Sequence, residues 1–198
     1  MRRALAKAHP RVVAVDDGAF RRDDRRAPIA AVVVSAPDYV ESVRTGSVRV
    51  DGRDATRTVV ALVRATGPLD GVRALLLDGA VVGGFNVLDL DALEAAFGIP
   101  VVALTRRRPD FPAIRRALAR WFPRDAAQRW ARLTAHPLFP VPTGGRPILA
   151  AAVGCSRADA AALVRRTTVR GFWPEPLRLA HLVASAGAVP ARSHRPKD

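Results

Sequence analysis

Hydrophobic and polar positions along this chain repeat with two periods, and the densest patterning lies at residues 73–109. Arg73 to Leu77 is a short apolar run closed by Asp78-Gly79. Such a run, bounded by turn residues, predicts a strand buried on both faces. Leu88, Leu90, Leu93, Ala96 and Phe97 then recur at helical spacing until Gly98 stops the pattern. Ile99 to Leu104 is a second apolar run, with Pro100 at its entrance, where a strand tolerates proline. Strand, helix and strand within about thirty residues predict a βαβ unit and a sheet that is at least partly parallel.

The flanking segments extend this pattern. Strands are expected at Val12–Val15, Ile29–Ser35 and Ser47–Val50, with a charged turn at Phe20–Pro28 and a polar connection at residues 38–46. Short connections between successive strands favour an antiparallel meander. Asp54 stands where a helix to about Ala65 would be capped, with Val59, Val60 and Val63 inward. Helices follow at Phe111–Phe122, Asp125–Ala135, Ala158–Arg166 and Leu177–Ala186. A Pro/Gly-rich loop lies at 137–147 and a last short strand at Ile148–Val153. Residues 1–187 read as one domain, and 188–198 as a basic, disordered tail.

The chemistry enters with the acids. Asp78 stands at the carboxyl end of a buried strand, where open α/β sheets place their ligands. Near the start the same device recurs, as Arg11–Val15 leads into Asp16-Asp17-Gly18. Two strands that deliver carboxylates at one end can bring those carboxylates together. Like charges at short range repel, so the pairing points to a bound cation. Carboxylate oxygens suit Mg²⁺ or Mn²⁺ rather than Zn²⁺.

Composition adds a partner. The 198 residues carry 32 Lys and Arg against 18 Asp and Glu, a net charge of +14. That excess points to a polyanion, DNA or RNA. The single cysteine, Cys155, excludes an internal disulfide and a multi-cysteine zinc site. Gly83-Gly84 is too sparse for a phosphate loop. No apolar run is long enough to span a membrane, no signal peptide is present, and a cytoplasmic location is expected. No protein partner can be inferred.

Four segments now carry a resemblance: VAVDDGAF at 13–20, VDGRDAT at 50–56, LLLDGAVVGGFNVLDL at 75–90 with GIPVVALTRRRPD at 98–110, and GFWPEPLRLAHLVAS at 171–185. Together they resemble endonuclease V, and more closely its archaeal-type relative, the endonuclease dU family. The resemblance implies a ribonuclease H-like α/β fold: a mixed central sheet, a three-strand meander followed by parallel strands, flanked by helices. It implies a Mg²⁺- or Mn²⁺-dependent endonuclease that cleaves DNA near deaminated bases, deoxyuridine or deoxyinosine, in DNA repair. The alternative is a catalytically inactive nucleic-acid-binding protein of the same fold.

Residue by residue, the resemblance places Asp16 and Asp78 at catalytic, metal-holding positions. Asp17 belongs to the dU-type motif and joins the metal group. Endonuclease V has a Glu after its third strand, for which Asp51 and Asp54 are both candidates here, Asp54 also being readable as a helix cap. Arg106 falls where endonuclease V has a Lys, and with Arg107 and Arg108 it is expected to grip nucleic acid. Tyr39, within Pro37–Val40, is the nearest match to the strand-separating aromatic wedge. Cys155 stands where endonuclease V has a metal-site His. A thiol is a poor Mg²⁺ ligand and no base at pH 7, so Cys155 is expected to be without a role. His181 reads as a packed helix residue.

Overall fold

The protein was analysed as a computed structural model that describes residues 10–186. The tail expected at 188–198 lies outside the described residues. Seven strands form one sheet, in the order β3 (Tyr39–Arg49), β2 (Arg26–Ser35), β1 (Arg11–Asp17), β4 (Val72–Asp78), β7 (Val101–Thr105), β9 (Ile148–Val153), β8 (Phe139–Val141). β1, β4 and β7 run parallel; β2 and β3 form the antiparallel meander on one side of them. This is the arrangement that the ribonuclease H-like resemblance implies. It departs from the expectation at the far edge, where β9 and β8 are antiparallel rather than parallel.

The central strands are apolar because both of their faces are covered. Side chains of a strand alternate between faces. Val13, Val15, Leu75, Leu77, Val101 and Ala103 therefore pack on one side, against α1 (Ala55–Ala65) and α2 (Leu90–Phe97). Val12, Ala14, Ala74, Leu76, Val102 and Leu104 pack on the other, against α5 (Arg157–Thr167) and α6 (Glu175–Ala186). Each such side chain, fully buried, contributes about 1.5–3 kcal/mol of burial free energy. α3 (Phe111–Trp121) and α4 (Ala126–Thr134) form a helical pair that buries much less; their fully buried residues are Leu118 and Arg129. Among the described residues no helix is long and apolar enough to cross a membrane.

Three segments differ from their expected form. β3 begins at Tyr39, so residues 39–46 are strand and not connection. As an outer strand it exposes most of its side chains, which hides the alternation. β8 sits inside the expected Pro-rich loop, with Pro140 on an edge strand, where a missing N–H does no harm. A small hairpin, β5 (Val81–Val82) and β6 (Asn86–Val87), precedes α2. Its turn is Gly83-Gly84, at φ 56° and 85°, and a Cβ on Gly84 would lie 2.4 Å from the Asp51 carboxylate. These glycines serve the close approach of backbone and acid.

Asn86 ties this hairpin to the start of α1. It is fully buried. Its Oδ1 accepts from the Ala55 N–H at 3.0 Å, and its Nδ2 donates to Arg49 O at 3.0 Å and Asp54 Oδ1 at 2.7 Å. Asp54 itself makes no side-chain capping bond to α1; Asn86 satisfies the helix from outside. Asn86→Ala is predicted to leave buried polar groups unpaired and to cost about 2–4 kcal/mol. Denaturant unfolding checks this; a loss under about 1 kcal/mol would show that the hub is dispensable.

Candidate active site

The pairing of Val15 with Leu77 sets the next residues of β1 and β4, Asp16 and Asp78, side by side at the carboxyl ends of the strands. By alternation both acids lie on the face covered by α6, as do Leu104 and then Arg106 beyond the end of β7. Their carboxyl groups are in hydrogen-bond contact. Asp16 is buried, and its Oδ2 lies 3.0 Å from His181 Nδ1. Arg106 Nη2 lies 3.2 Å from Asp78 Oδ2, and its guanidinium stacks on Trp173 at 3.9 Å. Two acids, an imidazole and a guanidinium thus meet at one end of the sheet.

α6 brings the imidazole. Leu177, Ala180 and Ala184 form its buried stripe. His181 stands four residues after Leu177 and three before Ala184, so it shares the edge of that stripe. The helix lies close on β1: a Cβ added to Gly18 would come within 2.5 Å of the Ala184 main chain. Gly18 therefore serves helix contact as well as the turn suggested by Asp-Asp-Gly. The expectation that His181 is only a packed helix residue is corrected. Its side chain is 53% exposed and faces Asp16. The helical stripe was the signal that could have found it.

The electrostatics follow from this crowding. Burial, then the charges of Asp78 and Asp17, push the Asp16 carboxyl up to about 9. Asp78 is raised too, chiefly by burial, against the pull of Arg106. Asp17 is raised by burial, partly offset by the N–H of Gly83. Without a cation the cluster therefore keeps a proton at neutral pH, on Asp16. Among the described residues no three or more His, Cys, Asp or Glu side chains form a complete metal cage.

The other expected residues divide. Asp17 follows Asp16 on the opposite face of the sheet, and its Oδ2 accepts from Gly83 N at 2.6 Å. It reaches the pair through its charge. Asp51 Oδ1 accepts from Phe85 N at 2.8 Å, at φ 55°. Asp54 is held by Asn86 and the Arg49 N–H. Neither is brought to the Asp16–Asp78 pair. Arg107 and Arg108 are exposed just beyond Arg106. Tyr39 is corrected as a wedge. It pairs with Ser35, and Ser35 with Arg11 at the opposite end of β1, roughly 17 Å of strand from Asp16. Cys155 is half-buried, and burial with the nearby Asp159 pushes its thiol up to about 11. It carries no thiolate at neutral pH, in keeping with the absence of a role for it.

The shifted Asp16 makes a stability prediction. In the unfolded chain it loses its proton near 3.8; in the folded protein it keeps it to about 9. Its contribution to metal-free stability is therefore full below the lower value and lost as pH rises toward the upper one. Asp16→Asn removes this penalty. The variant should melt a few degrees higher than wild type at pH 8–9, with the gap closing toward pH 4. Thermal melts in chelator check it; a gap independent of pH would contradict the buried-acid account.

Comparison with known proteins agrees with this frame. The sequence profile described as Endonuclease dU matches residues 8–188. A UPF0215 protein of Methanothermobacter thermautotrophicus is 34% identical over 180 residues, covering 90% of this chain and 88% of its own. A crystal structure of a protein of unknown function from Archaeoglobus fulgidus superposes with a TM-score of 0.79 at 29% identity, covering 89% of this chain and 96% of that one. The catalytic domain of human Endonuclease V follows with a TM-score of 0.61 at 19% identity, covering 92% and 85%. Endonuclease V of Ciona intestinalis, in complex with a 24mer DNA containing an inosine followed by a ribo-adenosine, gives 0.59 at 16% identity, covering 87% and 83%. These last two establish the fold, and the profile and the sequence relative establish the family: the chain belongs to the Endonuclease dU family.

Proposed function

We propose that the protein is a metal-dependent endonuclease that hydrolyses one phosphodiester bond of nucleic acid near a deaminated base, deoxyuridine or deoxyinosine, in DNA repair. The observation that carries this reading is the convergence of Asp16 and Asp78, two buried acids that repel each other on one face of the sheet. The donor chemistry fits Mg²⁺ or Mn²⁺. Such ions are held by one or two carboxylates and complete their shell with waters and phosphate oxygens, so a full protein cage is not required. Asp16 and Asp78 would hold the cation. His181 would support it from the exposed side, and Asp17 would add negative charge. When bound, the cation would lower the pKa of a water and neutralise charge on the phosphate.

The chain's own residues supply the rest. Loss of the shared proton turns Asp16 and Asp78 into acceptors. His181 holds Asp16 in orientation. Arg106, released from Asp78 as the acids gain their counter-ion, is placed to pair with a phosphate oxygen; Trp173 beneath it keeps the guanidinium over the site. Arg107 and Arg108 extend the positive path. In hydrolysis, water oxygen bonds to phosphorus, the bond from phosphorus to the sugar oxygen breaks, and that oxygen leaves with a proton. The family description and the DNA complex of the Ciona protein support a nucleic-acid substrate, DNA before RNA. Asp51 and Asp54 are engaged elsewhere, so neither is assigned as the third acid.

End-labelled oligonucleotides, each with one deaminated base, test the proposal with Mg²⁺, with Mn²⁺ and with EDTA. Cleavage is expected with either metal and not with EDTA. Asp16→Asn and Asp78→Asn should each leave less than about a hundredth of the wild-type rate while the fold persists. Binding should persist in these variants and fall more than about tenfold between about 50 and 200 mM salt, through counterion release. Full cleavage by both variants would refute the reading. No cleavage by wild type on any lesion, with salt-sensitive binding retained, would select the inactive binding protein.

A further inference from the structure

We propose that the cleft between α3 and the β5–β6 turn is a stacking site for an unpaired nucleobase of the bound strand, distinct from the Asp16–Asp78 site. The cleft has a volume of about 860 Å³. Phe20, Phe85, Trp121 and Phe122 give it aromatic walls, and Ala113 and Ala117 line it beside them. α3 has a strongly apolar side but fully buries only Leu118 of it, and Trp121 is 64% exposed. This apolar side is left uncovered by the described residues.

The surroundings say what covers it. Arg22 lines the cleft. Arg116 and Arg120 follow Ala113 and Ala117 by three residues on α3, so they stand along its rim, and the guanidinium of Arg120 lies 4.9 Å from the Trp121 ring. Aromatic planes inside a rim of cations match a base inside a line of phosphates. A polar feature matches as well. Asp51 lines the cleft, and one of its oxygens accepts from the Phe85 N–H while the other has no bonded partner. A carboxylate oxygen there can accept from an N–H on the pairing edge of a base, an edge that is free only when the base is unpaired. The walls are held rigidly. Phe85 and Phe122 meet edge to face at 5.7 Å, and buried Arg129 bonds Asp51 O at 2.9 Å and also Phe85 O. The same turn gives its Gly83 N–H to Asp17, so the cleft and the acids sit at one end of the sheet.

The inference rests on the nucleic-acid reading above, but its test does not need cleavage. Fluorescence polarisation would compare a labelled single strand, the same strand with abasic sugars in place of its bases, and the matching duplex. Wild type should bind the base-bearing single strand roughly tenfold more tightly than the abasic one and the duplex. Trp121→Ala, at an exposed position, should lose this preference and leave abasic binding unchanged; Phe20→Ala should do the same from the opposite wall. Asp51→Asn should weaken base-bearing strands alone. An unchanged preference in both Trp121→Ala and Phe20→Ala would overturn the proposal, as would equal loss on both strands. So would duplex binding as tight as single-strand binding. If the preference is lost as expected but the protein never cleaves, the nuclease reading fails and the base site stands. If it cleaves with the preference untouched by these variants, the reverse holds.

Discussion

The structure turns on a repulsion. β1 and β4 pair in parallel with Val15 opposite Leu77, which forces Asp16 and Asp78 together. Nothing in sheet packing needs acids at these positions. Burial and mutual charge oppose ionisation of both, and Asp16 is left protonated far above the ordinary carboxyl range. A fold keeps such an arrangement where function uses it, because each unfavourable contact is a loss that other contacts must offset. The surrounding elements can be read as containment of that charge: α6 with His181 above, Arg106 from the end of β7, and the Gly83 N–H on Asp17 from the other face.

Containment explains several local choices at once. Gly18 is small because α6 lies against it, and without that approach His181 could not reach Asp16. Gly83-Gly84 is flexible because the turn must meet Asp17 and Asp51 together. Asn86 and Arg129, both buried, bind the main chain of the 49–55 and 85–86 segments and hold the turn in place. The rigid half of the molecule is thus the two-faced sheet with α1, α2, α5 and α6. The α3–α4 pair, with little buried, leaves open apolar surface beside the acids.

Much of this was legible in the sequence, for a physical reason: strands buried on both faces must be apolar throughout, so an acid at the end of one stands out. The repeated strand-then-acid pattern named Asp16 and Asp78, and the segment resemblance named the fold. What failed had weaker local signals. β3 was too polar to read because it lies at an edge, and its true extent puts Tyr39 at the wrong end of the sheet for a wedge. Asp51 and Asp54 could not be told apart by spacing, since their roles depend on Phe85 and Asn86, more than thirty residues away in sequence. His181 looked like a packing residue because its helix is otherwise apolar on that side; only the docking of α6 on β1 shows its partner.

Mn²⁺ titration followed by electron paramagnetic resonance tests the central claim most directly, since it reads a bound cation without any nucleic acid or turnover. The account predicts that wild type binds Mn²⁺ with the spectrum of an immobilised ion, that binding strengthens as pH rises and the Asp16 proton is displaced, and that an Asp16→Asn, Asp78→Asn double variant leaves Mn²⁺ free in solution. Equal Mn²⁺ binding by wild type and the double variant would contradict it.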